Sequence, residues 1–304
     1  MSHAMVMTAF GEPEVLQWRQ MAAPVPAPGE VLLRVRAAGI GPTDLQIRRG
    51  RLAAVFPQGP GSVLGFEAAG VVESVGAGVA DVAVGDEVVA HLPQQGGYGE
   101  LVAAPVWFPK PASLSWADAA ALPASAEAAV GTLREVGAEA GETLVVLGAA
   151  GSVGALIVQL ASARGVRVIG AASERDADTV AAYGGEPVVY GDGVFERIAV
   201  TGVRRIDAVI DAAGRGGLVE AVAATGDPSR VVTLVGSAEV ARSSARLSHP
   251  SPDRAPDALA ITVPLLAAGT LRLKPHREFA LTDAARAHAL LESGDVREKV
   301  VLRA

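Results

Sequence analysis

The stretch LVVLGAAGSVG, residues 144–154, decides the fold. Large and β-branched apolar residues crowd its first part, glycine and alanine fill its middle, and the helix formers of ALIVQLASARG follow at residues 155–165. That order predicts a buried strand, a tight turn and a helix. Within it, Ala149, Gly151 and Gly154 give the spacing A-x-G-x-x-G, a dinucleotide fingerprint with alanine at the first glycine; Ser152 and Val153 lie between the last two. The backbone must turn tightly there, approach a pyrophosphate and let a helix pack close to a strand. The helix start then offers N–H groups and partial positive charge to the phosphates. The spacing alone is equally that of a turn in an Ala/Gly-rich chain, and the flanking strand and helix give it meaning. The apolar run 144–163 approaches the ~20 residues that span a bilayer, but Gly, Ser152 and Gln159 break it. It reads as strand, turn and helix, and no membrane contact is expected.

Further along, RVIGAA (167–172), IDAVIDAA (206–213) and RVVTLVG (230–236) also have consecutive apolar residues, as buried parallel strands do. With intervening helical stretches they predict a doubly wound α/β sheet, a Rossmann domain over residues 123–270. The end of the second strand bears on the cofactor. An NAD site usually carries Asp or Glu about 20 residues past the glycines, whereas here Ala171, Ala172 and Ser173 precede Glu174 and Arg175. A hydroxyl with a guanidinium two residues later suits a 2′-phosphate. NADP(H) is therefore expected, with two conditions: an inward Glu174 or Asp176 favours NAD, and Arg175 is otherwise a solvated charge on a helix start.

Before residue 123 the pattern differs. VLLRVRAAGI (31–40), AAGVVESVGAGV (68–79) and VGDEVVA (84–90) alternate and are separated by Gly and Pro, predicting a mostly β domain. The Ala-rich 116–136, interrupted at Pro123, predicts helix at the entry to the second domain. Residues 238–256 read as a loop, LRLKP (271–275) as a strand, 283–292 as a helix and KVVLRA (299–304) as a strand returning to the first domain. The expected domains are thus 1–122 with 271–304, and 123–270.

The chain has 304 residues, 50% of them apolar, with net charge −7 and no cysteine. That length suits two cores, and the acidic balance gives no reason to bind nucleic acid. A small-molecule partner is expected. Without cysteine there is no thiolate nucleophile and no Cys-containing zinc site. MSHAMVMTAF at the start lacks signal-peptide features, so a cytoplasmic location is expected. The five histidines show no ligand spacing.

The segments AAGIGPTDLQIRRG (37–50), VLGFEAAGVVESVGAGVADVAVGDEV (63–88), GGYGELV (96–102), AAALP (119–123), VLGAAGSVG (146–154), IDAVIDAAG (206–214) and ESGDVREKVVL (292–302) together resemble the quinone oxidoreductase branch of the medium-chain dehydrogenase/reductase superfamily. The resemblance implies a GroES-like catalytic domain beside the Rossmann domain, and a homodimer. Zinc-containing relatives carry a His in the segment matching GFE; Phe66 stands there, so no zinc is expected. The implied activity is hydride transfer from NADPH to a quinone or an α,β-unsaturated carbonyl. The alternatives are an enoyl reductase acting on acyl thioesters and a non-catalytic NADPH-binding protein.

Residue by residue, the resemblance places Ala149, Gly151, Ser152, Val153 and Gly154 at the pyrophosphate, and Ser173, Arg175 and Tyr190 around the adenosine phosphate. Gly214 and the turn Val235, Gly236, Ser237 fall beside the nicotinamide ribose. Thr43 and Asp44 line the catalytic cleft, Asp44 being equally suited to cap a helix. Tyr98 either borders the cleft or packs as an aromatic, and Lys299 either reaches the cofactor or is a surface charge. Gly41, Leu52 and Ala128 stand where relatives carry polar groups, which implies a more apolar acceptor or weak catalysis.

Overall fold

A computed structural model describes residues 1–251 and 253–304. The chain forms two compact units: Met1–Ala124 with Leu259–Ala268 and Pro275–Ala304, and Ser125–Ala258 with Gly269–Lys274. Leu259–Ala268 thus groups with the first unit.

In the first unit, β1 (Ser2–Met7) and β2 (Leu16–Met21) form an antiparallel pair. They are followed by β3 (Val31–Ile40), α1 (Pro42–Arg48), β4 (Glu67–Val75), β5 (Glu87–His91), β6 (Leu101–Ala104), β7 (Val106–Pro109) and α2 (Trp116–Ala121). β3 shows why the alternating segments become strands. Leu33 and Val35 face the core while Arg34 and Arg36 face solvent, the period of a half-buried strand. Ser115 begins α2, its hydroxyl accepting the Asp118 N–H at 3.0 Å.

The second unit holds α3 (Pro123–Val136), which starts at the unit boundary, then β8 (Thr143–Leu147), α4 (Ser152–Ser162), β9 (Arg167–Ala172), α5 (Ala177–Ala182), β10 (Glu186–Val189) and α6 (Val194–Ala199). β11 (Ala208–Asp211), α7 (Leu218–Thr225), β12 (Val231–Thr233), α8 (Ala238–Ser243) and β13 (Arg246–Leu247) complete it. Its sheet is parallel with order β10-β9-β8-β11-β12-β13. The order reverses between β8 and β11, and at such a switch point the strand ends leave a crevice for a ligand. β8 is buried along its whole length, which is why its apolar residues are consecutive.

The chain then runs through α9 (Ala258–Ala267), β14 (His276–Ala280), α10 (Ala284–Ser293) and β15 (Lys299–Arg303). β15 pairs antiparallel with β3 and completes a sheet of order β14-β15-β3-β4-β5-β7, with β6 also on β3. Met7, Leu33, Ile40, Leu64, Leu92 and Leu302 lie in the core of this unit. Two local readings are corrected. Residues 238–256 are not loop throughout, since α8 and β13 lie there; residue 252 is outside the described residues. LRLKP is not a strand; the strand begins at His276.

Candidate functional site: a nucleotide cavity and a buried polar cluster

The turn after β8 is built as its sequence implies. Gly148 sits at φ +85°, and the N–H groups of Gly148 and Ala149 both donate to the Ala171 carbonyl at 3.0 Å, tying the turn to the end of β9. The Gly151 N–H donates back to the Gly148 carbonyl at 2.9 Å, and Gly151 is the N-cap of α4. Ser152, Val153 and Gly154 are then the first helical residues, whose N–H groups have no partner within the helix. A Cβ on Gly154 would lie 2.1 Å from the Gly148 carbonyl oxygen, so helix and turn meet there without room for a side chain.

Above these strand ends is a cavity of about 380 Å³ lined by Gly148, Ala150 and Gly151 from the turn, Ala172, Ser173 and Asp176 at and after the end of β9, Tyr190 to Glu196 after β10, and Asp211 to Ala213 and Arg215 to Gly217 at and after the end of β11, with Glu220 and Lys274. The loops are pinned by side chains that sequence reading did not single out. Buried Asp211 accepts the N–H groups of Ala213 and Gly214 at 2.9 Å and the Thr233 hydroxyl at 2.8 Å. Glu239 accepts the N–H of Leu218 at 2.9 Å and that of Gly217 at 3.1 Å, capping α7 from α8. The sequence signals were present: an Asp ending a buried strand, and a Glu in the first turn of a helix. The Thr233 partner of Asp211 and the Gly217 and Leu218 partners of Glu239 lie 21 or 22 residues away, and no local pattern identifies them.

Of the nucleotide-site residues expected from sequence, Gly151, Ser173 and Tyr190 line the cavity. Ala149 is buried beneath the turn, and Ser152, Val153 and Gly154 open α4 beside it. Gly214, at φ +63°, lies between lining residues Ala213 and Arg215. Val235, Gly236 and Ser237 follow β12 and lead into α8, off the cavity lining. Arg175 lies differently. It is exposed in the short 3-10 turn Glu174–Asp176 and does not line the cavity, whereas Asp176 does and receives a hydrogen bond from the Ser173 hydroxyl. The guanidinium on the lining is that of Arg215, whose Nη1 donates to the Tyr190 hydroxyl at 3.0 Å.

The first unit gathers Thr43, Asp44, Tyr98 and Lys299. Asp44 is the third residue of α1 rather than its N-cap. One carboxylate oxygen accepts the Gly41 N–H at 2.8 Å and the other the Gly65 N–H at 3.1 Å, locking the helix start to the segment before β4. Burial raises its pKa to about 7, opposed by those N–H groups and by Lys299. Tyr98 is wholly buried, its hydroxyl 3.1 Å from His288 Nε2 on α10. Burial, then the carboxylates of Asp44 and Glu67, push the phenol well above its usual range, and burial pushes His288 down to about 3, so both stay neutral at pH 7. Tyr98 is thus a packed, hydrogen-bonded core aromatic, the second of the two readings its sequence allows. Lys299 is not the surface charge its sequence allows. It is buried, and its ammonium pairs with Glu67 at 2.5 Å. The Glu67 carboxylate also accepts the Ala124 N–H at 2.9 Å. Thr43 is half-buried on the first turn of α1.

The donor set does not fit zinc. Phe66 packs edge-on against Phe56 at 5.4 Å, the chain has no thiolate, and among the described residues no group of three or more His, Asp or Glu is arranged to hold a metal. The cavity does fit a dinucleotide, with a helix start at the turn and polar side chains at the ends of β9 and β10.

Comparison with known proteins agrees with this architecture. Residues 27–108 match the family model described as alcohol dehydrogenase GroES-like domain, and residues 176–302 match that described as zinc-binding dehydrogenase. Quinone oxidoreductase of Pseudomonas aeruginosa is 30% identical over 99% of both chains. The rat quinone oxidoreductase is 34% identical over 69% of this chain, a match spanning 62% of the rat protein. Among solved structures, Escherichia coli quinone oxidoreductase complexed with NADPH superposes with TM-score 0.82 at 26% identity, covering 99% of this chain and all of that one.

Proposed function

Since the chain belongs to the quinone oxidoreductase type of the medium-chain dehydrogenase/reductase superfamily and is an oxidoreductase, we propose that it reduces a quinone or an α,β-unsaturated carbonyl with NADPH, without a metal. The observation that carries this reading is the cavity over the ends of β8, β9 and β11, with the glycine turn and the start of α4 at its base. When bound, the reduced nicotinamide supplies a hydride. The start of α4 holds the pyrophosphate, and Asp211 and Glu239 hold the loops after β11 in shape for the rest of the cofactor. A polarised enone or quinone accepts hydride readily, so the protein's part is to orient the acceptor and exclude water. Thr43 supplies a hydroxyl to the acceptor's carbonyl oxygen. Asp44 is a positioning residue, fixing Thr43 through α1. Electrons and protons balance with one proton taken from solvent for each hydride delivered.

The test is a turnover assay of NADPH oxidation at 340 nm with a panel of quinones and α,β-unsaturated ketones. Oxidation that depends on at least one acceptor is the expected outcome. Tight NADPH binding without turnover on any member would instead identify a non-catalytic NADPH-binding protein.

A further inference from the structure

We infer that Arg215 is the residue by which this chain selects a cofactor bearing a 2′-phosphate, with Tyr190 as its seat and Asp176 as the opposing charge. The inference rests on the nucleotide reading of the cavity given above and assigns its specificity to a residue outside the fingerprint.

The geometry converges on one corner. β9 and β10 are parallel neighbours whose last residues, Ala172 and Val189, are in register, and the Tyr190 N–H donates to the Ala172 carbonyl at 3.0 Å. Ser173 and Tyr190 therefore leave adjacent strands at the same level, the level at which a doubly wound fold meets the adenosine ribose. Arg215 arrives from the loop after β11. Its guanidinium lies 5.6 Å from the centre of the Tyr190 ring, and one N–H donates to the phenol oxygen. That contact uses one of the five donors of a rigid fork and orients the rest. A guanidinium so held is matched to a phosphate, which it binds bidentately.

Lys274 is the other cation on the lining; the carboxylates there are Asp176, Asp192, Glu196, Asp211 and Glu220. Asp211 is committed to Ala213, Gly214 and Thr233. Asp176 is tied to Ser173, which follows β9 directly, and of the carboxylates on the lining it is the nearest in sequence to the strand end where a ribose 2′-hydroxyl is read. A carboxylate favours the free hydroxyl and repels a phosphate there, so Asp176 and Arg215 pull selection in opposite directions. The guanidinium prevails because its bonds to a phosphate are charge-assisted and paired.

The experiment is calorimetric titration of the full chain with 2′,5′-ADP and with 5′-AMP, which differ by the 2′-phosphate alone. Wild type is expected to bind 2′,5′-ADP about tenfold or more tightly than 5′-AMP, a difference of about 1.4 kcal/mol. Arg215→Met should erase that preference with 5′-AMP affinity nearly unchanged, Arg215→Lys should keep part of it, and Asp176→Asn should enlarge it. Arg175→Met should behave as wild type. Preference intact in Arg215→Met, or lost in Arg175→Met, overturns the inference. Equal affinity of wild type for both probes overturns it while leaving a reductase that uses NADH. Binding of neither probe overturns the nucleotide reading itself.

Discussion

Gly154→Ala is expected to abolish dinucleotide binding and to destabilise the fold by about 1–3 kcal/mol, the usual range for overpacking. Helix propensity alone predicts the opposite, since alanine is favoured over glycine by roughly 1 kcal/mol inside a helix. The contact decides the sign. The added Cβ would lie 2.1 Å from the Gly148 carbonyl oxygen, 2.8 Å from its carbon and 3.0 Å from Ala149 Cα, all backbone of the phosphate-binding turn. No rotamer change relieves such a clash. Either α4 moves away from β8 or the turn opens, and both misplace the N–H groups that receive a pyrophosphate. Gly151→Ala is the graded control, because its Cβ would meet the same oxygen at 3.2 Å. Calorimetry with NADPH and thermal denaturation measure the two consequences. Unchanged affinity in Gly154→Ala would show that the turn is not where the cofactor sits.

Lys299→Met is expected to cost the first unit about 3–5 kcal/mol, the range for removing one partner of a buried ion pair. The Lys299 and Glu67 side chains are only 8% and 2% exposed, so the Glu67 charge left behind has no solvent to turn to. The Ala124 N–H that also bonds this carboxylate offsets only part of that loss. The double variant Glu67→Gln with Lys299→Met removes both charges and should recover most of the stability, as replacement of a whole buried pair by neutral groups commonly does. All three tryptophans, Trp18, Trp107 and Trp116, lie in this unit, so denaturant unfolding followed by tryptophan fluorescence reads it directly. A double variant no more stable than Lys299→Met alone would mean that the lysine acts through packing rather than charge.

What the sequence made legible follows the range of the interactions involved. β8, the turn and α4 were readable because strand burial, glycine spacing and helix composition are contiguous. The lack of cysteine, and Phe66 in the GFE segment, were readable directly. Four features were hidden. α8 lies in a Ser- and Arg-rich stretch that resembles a loop, and its purpose, the Glu239 cap on α7, appears only when the chain folds back. Lys299 looked free to reach a cofactor because Glu67, its partner, is more than two hundred positions earlier. Distance from the strand end marks Arg175, but only the fold shows that the short turn Glu174–Asp176 leaves it exposed while Asp176 lines the cavity. Arg215 follows a strand whose sequence was read correctly. Its role depends on Tyr190, a neighbour across the cavity rather than along the chain.

The central claim, hydride transfer from NADPH to an electron-poor acceptor, is tested most directly by following the transferred atom. With NADPH carrying deuterium at both C4 positions of the nicotinamide and an α,β-unsaturated ketone as acceptor, mass spectrometry and NMR should find one deuterium at the β-carbon of the saturated product. The proton at the α-carbon should come from solvent. Deuterium absent from the β-carbon of a reduced product, or no reduction of any acceptor in the panel, would contradict the account.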